Sequence, residues 1–390
     1  MVYSVKKRKI RKTPTDMSNT EALSEKQVIG RWSEINKENE VKKLEYGMDF
    51  RLPIYRREVF LRFYEFHLKY NAHPGAVYYT FDYIFDTLEL TQEQRLWFTF
   101  INGCSQNVVS TYMIFQQFPN LQDIDMSELR KWFREHFTKI GWDTDRRYHK
   151  NVFEDCVQNY IDVLGSKTQE ELFSELCNTD DKYKNFGRVW SFVMNKFYTF
   201  GRLATFSYLE YLRIAGLNLD CDSLFIDNIT GSKSHRNGLC KVLGRDDLDW
   251  HKNIVKYSES TLKWLEREGK KLLQDANERI NHKDVSYFTL ESTLCCYKGW
   301  HRKNRRYPNV YNDMFRDRIV YAEKKWGRRL DIFWDCRKDC LPAHLLIENN
   351  PNDYGIKPQK QNHYRKYGEV IMMDREWDCF ENKYNEYIDR

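Results

Sequence analysis

Residues Glu291–Arg318, ESTLCCYKGWHRKNRRYPNVYNDMFRDR, gather Lys298, His301, Arg302, Lys303, Arg305, Arg306, Arg316 and Arg318 among Trp300, Tyr307, Tyr311 and Phe315. A guanidinium fork binds phosphate oxygens in bidentate fashion, and flat rings give unpaired bases a stacking surface. From Lys298 to Arg329 there are eleven Lys or Arg against three acids, a local charge of +8. The first twelve residues add +6 with no acid, yet the whole chain is only +6. The positive charge is therefore placed rather than diffuse, and the chemistry it suits is that of a polyphosphate or nucleic acid. A solvated basic helix face is the plainer alternative, and Asp313 with Arg316 has the spacing of an i,i+3 ion pair.

A second constellation lies in GSKSHRNG, residues 231–238, after an acidic stretch with Asp220, Asp222 and Asp227. Ser234, His235, Arg236 and Asn237 stand at the start of a helix, where backbone amides and the helix dipole receive anions. The pattern is not a Walker loop, since GxxxxGK[ST] is absent. Ser234 also suits a simple N-cap.

These residues must be held by helices. Trp97, Phe100, Ile101, Cys104, Val108, Tyr112 and Phe115 recur at three- and four-residue spacing, and Pro119 ends the run. Asp125 with Glu128, and Thr168 with Glu171, have capping-box spacing. Further helices are expected at 146–164, 186–199, 203–215, 234–243 and 259–279. Helical spacing assigns Trp97, Trp132, Trp190 and Trp264 to the core. Strand alternation is scarce, so the class is mainly α. The expected divisions are a flexible basic arm at 1–45, a helical domain at 46–250, a charged helical connector at 251–289, and a basic, aromatic segment at 290–390 completing the site.

Composition sets outer bounds. At 41% hydrophobic and 31% charged, the 390 residues describe a soluble globular protein with ample core. No apolar run has transmembrane length, and the basic N-terminus has no apolar segment behind it, so neither a membrane nor a secretory signal is expected. The ten Cys lack the close pairs of a structural zinc site and read as reduced thiols.

Three blocks carry a resemblance. GRLATFSYLEYLRIAGL, LFIDN and CKVLG resemble the helix-hairpin-helix DNA glycosylase superfamily, without a clean hairpin glycine pattern. DSLFIDNITGSKSHRNGLCKVLG, TLCCYKGWHRKNRRYPNVYNDMFRDRI and DIFWDCRKDCLP are similar to a phage branch of it, the amino acid:DNA transferases, or α-glutamyl/putrescinyl thymine pyrophosphorylases. The resemblance spans roughly residues 50–347. It implies a glycosylase-like helical fold with an added C-terminal basic, aromatic segment. It also implies a transferase acting on DNA in which 5-hydroxymethyluracil carries a pyrophosphate ester. The amino group of an amino acid or polyamine displaces that pyrophosphate, giving a hypermodified thymine.

On this reading Lys298, His301, Arg302, Arg305 and Arg306 clamp the leaving pyrophosphate. Tyr307, Arg316, Arg318, Ser234, Arg236 and Asn237 complete the contacts to pyrophosphate and DNA. Asp227, His235, Glu291 and Asp313 are the candidates for the base that deprotonates the amine, with no order among them. The resemblance fixes no cofactor; magnesium on the pyrophosphate is an option open to Asp227 or Asp313, but no dedicated metal site is defined. The implied partners are modified DNA, the free amine and other phage DNA-modification enzymes, and the implied place of action is the host cytoplasm. Two rivals remain: a hydrolytic glycosylase using Asp227, and a non-catalytic DNA-binding protein.

The run Lys6, Lys7, Arg8, Lys9, Arg11 and Lys12 generates a first prediction. Deleting residues 1–12 should weaken DNA binding and lower the log–log salt slope by roughly 0.9 for every phosphate the arm neutralises. An unchanged slope would make the arm a bystander.

Overall fold

The computed structural model describes residues 53–70, 78–143, 146–226, 233–248, 257–298 and 310–341. Among these there are fifteen α-helices, two short 3-10 turns and no strand, so the mainly α class holds. In chain order the helices are α1 Pro53–Tyr70, α2 Tyr78–Thr87, α3 Gln92–Ser105, α4 Val108–Gln117, α5 Met126–His136, α6 Arg147–Lys150, α7 Phe153–Leu164 and α8 Gln169–Leu176. They continue as α9 Lys182–Lys196, α10 Arg202–Ile214, α11 Lys233–Val242, α12 Glu259–Arg279, α13 Tyr287–Tyr297, α14 Val310–Trp326 and α15 Asp331–Cys340. The expected arm at 1–45 and the tail beyond 341 lie outside the described residues.

Two expected helices are broken. The apolar run from Trp97 to Phe115 is not continuous: Gln106 takes a left-handed conformation at φ 48° and ends α3. Asn107 then starts α4, its side chain accepting from the Ser110 amide at 3.1 Å. Such polar side-chain caps offer the backbone a partner outside the helix and so set its ends. The expected helix at 146–164 is likewise split into α6 and α7. Its first turn is pinned sideways, Arg146 donating to the carbonyls of Gly103 and Leu203 and His149 to that of Thr199. The capping box at Thr168 and Glu171 forms as the spacing predicts. Asp125 caps α5 by accepting from the Ser127 and Glu128 amides.

Two apolar cores follow from the packing. The larger is built on α3, with Trp97 fully buried and Phe100 stacked on Tyr160 at 4.2 Å. The smaller joins α1, α11, α12 and α13 through Phe60, Leu239, Leu265, Leu272 and Leu294. Trp132 and Trp190 pack half-buried against the first, and Trp264 against the second. Tyr79, Ile214 and Tyr287 touch both cores. A polar clamp backs the smaller core: Arg56 grips Asp246 through both nitrogens at 3.0 and 3.1 Å, and Lys241 reaches the same carboxylate at 2.6 Å. Burial pushes that carboxyl up, but the two cations outweigh it and bring it down to about 2.

Two buried histidines tie stability to pH. Burial lowers His67 to about 3; burial, then the Arg146 charge, lowers His149 to about 4. Both are neutral in the fold, while the unfolded chain protonates near pH 6.5. The unfolded state therefore binds more protons below that pH, and stability falls as pH drops from 6.5 toward 4 and 3. At pH 5 each should cost about 2 kcal/mol. Urea melts at pH 7.5 and 5.0 should show the loss, and His67→Gln should reduce it; an equal loss in that variant would remove His67 as a linked group.

Candidate active site

The site forms where α11 crosses α13. At Gly238 an added Cβ would lie 2.0 Å from the Leu294 carbonyl oxygen, so the two backbones touch where only glycine fits. One turn toward the start of each helix, the same approach brings His235 to Glu291. His235 Nδ1 lies 2.8 Å from Glu291 Oε1, and Nε2 lies 2.6 Å from the Leu224 carbonyl oxygen. Helical residues three apart share a face, so one close contact sets the other.

The hydrogen bonds define the pair's chemistry. The Leu224 carbonyl only accepts, so Nε2 carries a hydrogen. Glu291 is held as a carboxylate: burial pushes it up, but His235, Arg202 and Lys298 together bring it below its ordinary value. Nδ1 faces the carboxylate and Nε2 the carbonyl, so both ring nitrogens are engaged and neither is left for a substrate. His235 is 1% exposed, whereas the Glu291 side chain keeps 13%. Glu291 is thus the member that can accept a proton from a ligand, and His235 fixes its orientation.

The chain before α11 is shaped to hold this pair. Phe225 has a left-handed φ of 51°, costing about 1–2 kcal/mol for a residue with a Cβ. Its ring stacks on Trp190 at 5.4 Å, and the Arg202 guanidinium lies over it at 5.6 Å. Leu224 and Ile226 instead enter the smaller core, and their carbonyls accept from His235 and Arg236.

The structure places several of the expected site residues. Ser234 does not cap α11, because the helix already includes Lys233; its hydroxyl accepts from Cys295 Sγ at 3.1 Å. Arg236 and Asn237 are 0% and 2% exposed. Arg236 spends its charge inward, on the Ile226 carbonyl and over the Tyr257 ring at 4.8 Å. Arg318 is engaged by Asp143, at 2.8 Å from Nη2, and Arg316 lies 3.4 Å from its neighbour Asp317.

Lys298 caps the end of α13, where the chain enters the basic block, and its charge reaches Glu291. Asp227, His301, Arg302, Arg305, Arg306 and Tyr307 lie outside the described residues, as does the Asp313 side chain. Among the described residues no group of three or more His, Cys, Asp or Glu could hold a metal ion, and no helix is long and apolar enough to cross a membrane. The described cysteines are all free. Arg202, Phe225 and Gly238 were not singled out from sequence; only the double glycine bracket of residues 231–238 hinted at a close approach.

Residues 80–307 match the amino acid:DNA transferase family. The chain belongs to that family. The match runs through both α11 and α13 and ends in the basic block, so the His235–Glu291 contact lies inside it. Membership makes this a transferase that joins amino acids to DNA, and the glycosylase and pure-binding readings are not favoured. The chain is also similar to a serinyltransferase of Salmonella phage ViI, 27% identical over 333 residues covering 79% of each chain. No solved structure matches, so the helix-hairpin-helix expectation rests on sequence resemblance alone.

The Gly238 contact yields a direct prediction. Gly238→Ala should destabilise by about 3 kcal/mol or more, since a rigid carbonyl rather than a movable side chain stands in the way. Gly187→Ala, in open space on α9, should instead stabilise by roughly 0.5–1 kcal/mol. If thermal melts ranked the two variants equally, the close approach of the two helices would not be what fixes the site.

Proposed function

We propose that the enzyme replaces the pyrophosphate of 5-pyrophosphoryloxymethyl-deoxyuridine in phage DNA with the α-amino group of an amino acid. The observation that carries this reading is the Glu291–His235 contact at 2.8 Å, joining the two sequence blocks that resemble the family. The segment bearing Asp227 runs directly into α11, and the basic block runs directly out of α13. Lys298, where the basic block leaves α13, lies about two turns along the helix from Glu291.

In the reaction a C–N bond forms at the exocyclic methylene while the C–O bond to pyrophosphate breaks. The pyrophosphate leaves with the bonding electrons, and the nitrogen gives up a proton. Departure from an electron-rich pyrimidine allows a conjugated methide-like intermediate, so no covalent enzyme adduct is needed. Lys298, His301, Arg302, Arg305 and Arg306 suit the leaving charge, which oriented donors stabilise most strongly in a site shielded from water. Glu291 suits the proton. Its lowered pKa weakens it as a base but keeps it ionised at neutral pH, where it can orient an ammonium and then take its hydrogen. Since the viral relative is named a serinyltransferase, L-serine is the first amine to test.

Glu291→Gln should keep DNA affinity and lower single-turnover transfer by about 100-fold or more, the usual scale of general-base loss. Arg305→Lys and Arg306→Lys keep charge but lose the fork, and each should remain impaired at saturating DNA. The assay is nucleoside mass spectrometry after incubation with pyrophosphorylated duplex and L-serine, beside pyrophosphate release. Parent-like turnover in Glu291→Gln would move the base elsewhere; abasic sites without pyrophosphate would return the glycosylase.

A further inference from the structure

A cavity of about 250 Å³ lies between α4, the turn at 138–143 and α14, apart from the crossing of α11 and α13. At ~30 Å³ per water it would hold about eight, and it falls below the roughly 300–1,000 Å³ of pockets for drug-sized ligands. Its charged lining residues are Lys139, Asp143, Asp317 and Arg318, two of each sign. Arg318 forks onto Asp143, with Nη2 at 2.8 Å and Nε at 3.3 Å, and both side chains are mostly buried at 13% and 17% exposed. Trp326 closes one wall, with the Lys139 ammonium 5.1 Å from its ring.

The turn is built rather than loose. The Gly141 amide donates to Ser110 Oγ at 2.9 Å, Lys150 donates to the Ile140 carbonyl at 2.6 Å, and Tyr321 donates to the Thr138 carbonyl at 3.3 Å. A small cavity with paired charges of both signs is complementary to a small zwitterion. It suits neither a phosphate, which would meet two carboxylates, nor an apolar ligand, which would strand four charges.

We propose that this cavity binds the free amino acid co-substrate before it reaches the Glu291–His235 pair, with Arg318 taking the α-carboxylate and Asp143 and Asp317 facing the α-ammonium. The assignment rests on the transferase reading above. Arg318 belongs to the same basic stretch of sequence and stands about 12 Å along α14 from Val310, at 1.5 Å per residue.

The test is calorimetry on the full chain without DNA, titrating the free proteinogenic amino acids one at a time. The decarboxylated analogue of the tightest binder follows. The parent should bind an amino acid and take the decarboxylated amine at least about 10-fold more weakly. Arg318→Lys and Arg318→Gln should lose about 10- to 100-fold for the amino acid while leaving the decarboxylated amine unchanged. Asp317 is 58% exposed, so Asp317→Asn cannot threaten the fold, and it should weaken both ligands. No binding by the parent, parent-like binding in a folded Arg318→Gln, or parent-like binding in Asp317→Asn would each overturn the assignment. Transfer to modified DNA is measured separately. Binding with the expected variant pattern but no transfer supports the cavity and refutes the transfer chemistry instead.

Discussion

The contact between Gly238 and Leu294 is the constraint on which the site depends. Two helix backbones meet so closely that one added methyl group would lie 2.0 Å from a carbonyl oxygen. Because each helix advances one turn in 3.6 residues, fixing Gly238 against Leu294 also fixes His235 against Glu291. A displacement of about an ångström here would take the mostly buried Glu291 carboxylate away from His235, and a buried charge that loses its partner costs several kcal/mol. Packing and electrostatics are therefore one problem at this crossing. The Arg56–Asp246–Lys241 clamp serves the same end, holding the far end of α11 against α1.

Phe225 shows how the two cores are joined without a sheet. Its left-handed turn sends one ring into the larger core and the flanking Leu224 and Ile226 into the smaller. The strain is offset by the Trp190 stack and the Arg202 guanidinium. The same turn aims the carbonyls of Leu224 and Ile226 at α11, which is how His235 and Arg236 find acceptors. A residue in a rare backbone conformation, between a buried pair and the chain entering Asp227, marks a place where structure is spent on positioning.

Much of the helical layout was legible because apolar spacing and caps are local signals. Glu259–Arg279 matches the expected 259–279, and α9, α10 and α11 lie within a few residues of expectation. The breaks at Gln106 and at Asn151–Val152 were not legible, since they depend on partners such as Thr199 and Leu203 far along the chain. The burial of Arg236 was not legible for a related reason. A cation in a glycine-bracketed motif looks exposed, yet here a carbonyl and the ring of Tyr257 satisfy it in the interior. Glu291 and His235 were both named from sequence, but nothing in their 56-residue separation showed that they touch. Arg318 was named from sequence too, but nothing in its 175-residue separation from Asp143 showed that the two pair.

The chain's charge distribution answers the demands of two unlike substrates. DNA and its pyrophosphate are polyanions, and a concentrated basic block draws them from a distance. A free amino acid with an uncharged side chain, such as serine, carries no net charge, so the same field gives it no advantage and a lone arginine would be occupied by phosphate first. Pairing Arg318 with Asp143, and setting Lys139 and Asp317 beside them, cancels the far field while keeping strong short-range complementarity. Phosphate approaching such a cavity meets carboxylates, and a zwitterion meets a partner for each end. Selectivity between the two substrates then follows from where the charges are paired, and needs no moving part.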